Sequence, residues 1–135
     1  MDFSHVNFGA VLVAAISAFA LGGVWYGVFS KAWIEASGVS PEKQAAMGKG
    51  HSAMVFGVSF LMSVAAAFVF TAVIGPEPTV IFGLWFGFVV GLVWVAGAFG
   101  INYLFESKTL KLWAINGGYH IGQFMLYGLV FGLWH

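Results

Sequence analysis

Four residues near the C-terminus combine reactive or hydrogen-bonding side chains with a spacing that brings them together: Asn116, His120, Gln123 and Tyr127. They lie in NGGYHIGQFMLY (116–127), inside an otherwise apolar run. On a helix each residue advances about 100° and about 1.5 Å, so the four share an arc of about 60° and about 16 Å of axis. One face therefore carries two amides, an imidazole and a phenol. Such a face can bind a small ligand or line a passive path, with His120 as the group that titrates near neutrality. It can equally hold helices together, because these side chains bond across membrane helices for about 0.6–2 kcal/mol each.

Other chemistry is excluded or unsupported. The chain has no Cys, which rules out thiol catalysis, disulfides and thiolate metal sites. Coupled carriers usually place a carboxylate at mid-membrane, whereas every Asp, Glu and Lys here lies at or beyond the end of an apolar run. Glu106 comes nearest, and with Asn102 and Tyr119 it makes a candidate polar cluster at the cytoplasmic edge. The four His residues (5, 51, 120 and 135) fall at unlike depths, which speaks against a bis-His haem. No nucleophile–base pair and no acidic metal site is evident. The expectation is no catalytic residue, no metal and no cofactor: not an enzyme.

The elements that carry these residues follow from composition. Of 135 residues 61% are hydrophobic and 7% charged, against about 25% charged in soluble domains. Apolar runs long enough to span a bilayer are expected at about 6–29, 52–74, 80–105 and 112–134, as a single domain over 1–135. Ala18-Phe19-Ala20 imitates a signal-peptide cleavage site, but no Lys or Arg precedes it and the run continues to Gly27, so the segment reads as a span. The fold class is all-α integral membrane, four helices in an up-down bundle. The loop 31–51 should hold a short surface helix, with Ser40 as N-cap and Pro41 at N1. All five Lys (31, 43, 49, 108 and 111) fall in the first and third connections, while Asp2 and Glu77 mark the other side. Both termini are then placed on the non-cytoplasmic side.

Trp25, Tyr26, Trp33 and Trp113 read as interface anchors at the headgroup level. Gly83, Gly87 and Gly91 recur every four residues with Ala98 near the same face, and Gly118/Gly122 and Gly128/Gly132 repeat the spacing. Small residues at this spacing let helices approach closely, within one chain or between copies. A neutral net charge gives no nucleic-acid surface.

WYGVFSKAW (25–33), FESKTLKLW (105–113) and NGGYH (116–120) resemble an uncharacterised family of small four-span bacterial membrane proteins, domain of unknown function 1761. The likeness covers nearly the whole chain and is most specific at Trp25-Tyr26, Trp33 and the Phe-Glu-Ser-Lys turn leading to Asn116 and His120. It implies the architecture and a bacterial inner-membrane address, and brings no activity and no catalytic residue. The leading expectation is a helix-packing module in the lipid bilayer, forming a homo-oligomer or an accessory subunit of a membrane complex. The alternative is a passive channel, transporter or small-ligand binder that uses the polar stripe.

Overall fold

In the computed structural model the chain is all helical, without strands. The helices are α1 (Phe8–Val28), α2 (Ser30–Ser37), α3 (Pro41–Ala46), α4 (Lys49–Ile74), α5 (Val80–Phe105) and α6 (Leu110–Leu133). Local chemistry accounts for the boundaries. The Asn7 amide oxygen accepts from the N–H of Ala10, and the Thr79 and Thr109 hydroxyls accept from Phe82 and Leu112, so each of these helices starts on a side-chain cap. Ser40 caps α3 with Pro41 in its first turn. Gly75, at φ 99°, stops α4 before the two prolines of GPEPT. Helix α2 is an addition to the expected loop, closed by Gly38 at φ 72°.

Helices α1, α4 and α5 are long and apolar enough to cross a membrane. The chain is thus built as a multi-pass membrane protein. The expectation of four such helices is met by three: α6 has 24 residues, but its Asn, His and Gln dilute its apolar character.

Two ends can be distinguished. The terminal end holds both chain termini and the GPEPT turn: the backbone of Gly132 nearly touches Val80, and Gly9 lies under the Trp134 ring. The lysine end holds α2, α3 and the 106–109 turn, bridged by Lys111 and Glu35 at 3.4 Å. Helix α6 is the hub, with α5 on one side and α1 on another, while α4 packs mainly on α1. The core lies toward the terminal end, where Ala10, Val11, Ala14 and Ala18 meet Phe70, Tyr127 and Phe131.

The glycine face is consumed inside this bundle. Gly83 lies backbone to backbone on Gly128, Gly87 on Phe124, and Gly91 on Ile121, with no room for a side chain. Gly118 and Gly122 do something different: they make space on the α1 side for the Trp25 ring and for Leu21.

Ala98 does not continue the face; it is exposed, and Ala96 and Gly100 approach α6 instead. The reason is a π-helical stretch, Val90–Ala96, within α5. Its wider turn inserts one residue, so the small-residue register runs 83, 87, 91, 96, 100. At the end of this stretch the Trp113 indole N–H donates to the Ala96 carbonyl at 2.7 Å.

Candidate functional site

The Asn116–Tyr127 face of α6 looks toward α4 and is flanked by α1 and α5. At its deep end the Tyr127 hydroxyl is a junction. It accepts from Gln123 Nε2 at 2.7 Å, lies 2.7 Å from the Ser63 hydroxyl and 3.0 Å from the Ser63 carbonyl, to which it donates. Tyr127 is 0% exposed and Gln123 6%. Buried polar groups need such partners, and these tie α6 to α4. Ser63 escaped the sequence reading, because a lone Ser in FLMSVAAAFVF carries no pattern.

One turn nearer the lysine end, His120 Nδ1 lies 2.7 Å from Gln123 Oε1. Its ring stacks on Phe99, centroids 5.2 Å apart, and meets Tyr119 edge-on at 4.9 Å. Nε2 has no protein partner. Asn116 spans two helices: its Oδ1 accepts from the Tyr26 hydroxyl of α1 and its Nδ2 donates to the Tyr103 hydroxyl of α5, both at 2.8 Å. Tyr119 turns to α1, donating to the Ala18 carbonyl at 3.2 Å.

The proposed edge cluster is not assembled. Asn102 and Glu106 are exposed, and Tyr103 rather than either of them meets Asn116. The reason is again phase, since the π-helical stretch rotates the end of α5 and turns Tyr103 inward. The residues expected as anchors also make bonds within the bundle. Trp25 Nε1 donates to the Ile115 carbonyl at 2.9 Å, Trp113 to Ala96, and Tyr26 to Asn116, so all three use their polar atoms inside the bundle. Trp33 packs edge-on against Tyr26 at 6.1 Å. His5 and His135 each bond a backbone carbonyl, of Thr71 and Phe131.

Whether this face is covered depends on α4. Helices α4 and α6 both run from the lysine end to the terminal end, and Ser63 sits at Tyr127. Equal rise along parallel helices then puts Ser52 level with Asn116, and Phe56 level with His120. Every residue from Ser52 to Ser59 is exposed. The first half of α4 therefore stands off the bundle, leaving a cleft whose floor is Tyr26, Tyr103, Asn116 and His120, all half-buried. The floor is polar and uncharged. The terminal end of the cleft is closed by Tyr127 and Phe131, at 0% and 1% exposure.

No curated protein and no solved structure matches the chain. A family model described as protein of unknown function (DUF1761) matches residues 9–132, nearly its full length. The chain belongs to this family, domain of unknown function 1761.

Proposed function

We propose that this protein is a non-enzymatic, multi-pass protein of the bacterial inner membrane that binds a small uncharged molecule in the cleft beneath α4. The observation that carries the reading is the stand-off of Ser52–Ser59 above a half-buried polar floor. Asn116 and the two tyrosines of the floor bond one another, and His120 Nδ1 bonds Gln123, so His120 Nε2 is the group a ligand would partner. Binding is favoured over passage because Tyr127 and Phe131 block the far end. The glycine face that argued for a second copy is filled by α6, which leaves the homo-oligomer reading without that support.

The test uses 4-bromophenol, neutral at pH 7, as a probe of the purified protein. It is expected to change the tryptophan emission saturably. His120→Ala should weaken binding about tenfold, the equivalent of one hydrogen bond to a desolvated group. Non-saturable partitioning, unchanged in the variant, sinks the reading.

In this proposal α6 is the fourth crossing. At about 1.5 Å per residue its 24 residues reach across a hydrocarbon core of about 30 Å, and its polar groups are turned inward. Both termini lie outside, following the lysines. The absence of native Cys makes single-cysteine mapping clean. In intact cells stripped of the outer membrane, His135→Cys should react with an impermeant maleimide, and Ser107→Cys, at the other end of α6, only after lysis. Labelling of both from one side would overturn the four-crossing topology.

A further inference from the structure

Ser63, Tyr127, Gln123 and His120 form one continuous chain of hydrogen bonds that ends at the cleft. Its proton positions are dictated from the deep end. A backbone carbonyl only accepts, so the Ser63 carbonyl oxygen, 3.0 Å from the Tyr127 hydroxyl, takes the single phenol proton. Tyr127 is then an acceptor for both remaining neighbours, and Ser63 Oγ and Gln123 Nε2 each donate to it at 2.7 Å. With the Gln123 amide turned that way, its Oε1 faces His120 and can only accept. The proton between them therefore sits on His120 Nδ1.

In a neutral imidazole one nitrogen carries the proton and the other is a bare acceptor, and the bond made by the one decides the state of the other. His120 Nε2 is thus the acceptor. It has no protein partner. It is not sealed in either, since His5 Nδ1 is the one fully buried side-chain polar atom without a bond. Ordinary lipid does not complete it at this depth, because hydrocarbon tails and glycerol esters have no proton to give.

From this directed chain we infer that the cleft selects an uncharged hydrogen-bond donor, an alcohol, phenol or N–H compound, over an ether, ester or ketone of the same shape. Gln123 is the positioning residue that fixes the preference. The inference rests on the cleft reading and gives its ligand a chemical class. At 6% exposure Gln123 acts through His120 rather than on the ligand itself.

Two measurements on the purified protein test this, both at about pH 8, above the usual imidazole range. The first needs no probe. Nitrogen-15 NMR of histidine-labelled protein, with His120→Gln identifying the resonances, should show Nδ1 protonated and Nε2 bare at His120. A proton on Nε2 overturns the inference. The second compares 4-bromophenol with 4-bromoanisole, the same ring with its hydroxyl capped by methyl, through the change in tryptophan emission. The phenol should bind about tenfold tighter, the equivalent of one hydrogen bond to a desolvated group. Gln123→Met leaves Nδ1 without its acceptor, so both tautomers populate and the preference should shrink several-fold. A preference that persists in this variant overturns the role of Gln123, because loss of stability alone would not move it. Equal saturable binding of the two probes, both weakened by His120→Ala, overturns the donor preference and leaves the cleft standing. If neither binds saturably, both readings fall.

Discussion

Gly87→Leu is expected to unfold the bundle at a markedly lower temperature, at a cost of about 3 kcal/mol or more. Overpacking a fitted core usually costs about 1–3 kcal/mol because side chains can shift. Here the new Cβ would fall on the backbone carbonyl of Phe124, and a backbone cannot turn aside. Helices α5 and α6 must part, and they form the main contact of the molecule. Gly27→Leu is the control, since a Cβ there meets nothing within 4 Å. Thermal unfolding in detergent, followed by circular dichroism at several protein concentrations, separates the possibilities. A loss that is the same at every concentration is the expected result. A loss that shrinks as concentration rises would place the glycine face between copies.

Tyr127→Phe has the second-largest expected effect, about 1–2 kcal/mol. The ring still fills its place among Phe70, Phe124 and Phe131, so no cavity forms. What is lost is the acceptor for Gln123 Nε2 and the partner of the Ser63 hydroxyl, both groups being nearly fully buried. Orphaned buried groups cost about 1–3 kcal/mol. Pairs within membranes average nearer 0.6, because the unfolded chain also finds partners, and Ser63 can turn back to a carbonyl of its own helix. Gln123 is thus the group left stranded. Gln123→Leu in the Tyr127→Phe background should then cost much less than Gln123→Leu alone. Strict additivity of the two changes would mean that Gln123 does not depend on Tyr127.

The same two regions show how far the chain can be read without its structure. Most helix boundaries follow from signals local to the sequence: apolar runs, Asn, Ser and Thr caps, and a Gly-Pro stop. The phase of Asn116, His120, Gln123 and Tyr127 also follows from helical geometry, because four residues on one helix share one axis. The glycine register was readable as far as Gly91. It failed beyond because a π-helical turn changes the period, and no residue type in VGLVWVA announces one. That insertion moves Ala98 out and turns Tyr103 toward Asn116.

By itself, then, the sequence determined that the chain is helical, suited to a membrane, and polar along one face of its last helix. Those properties are sums over residues near in the chain. Tertiary structure alone decided what that face meets: Ser63 at depth, Tyr26 and Tyr103 at the lysine end, and open space beneath Ser52–Ser59. These depend on how each helix is rotated and tilted against its neighbours. Rotation and tilt are set by many weak contacts between distant residues, and no spacing along one helix encodes them.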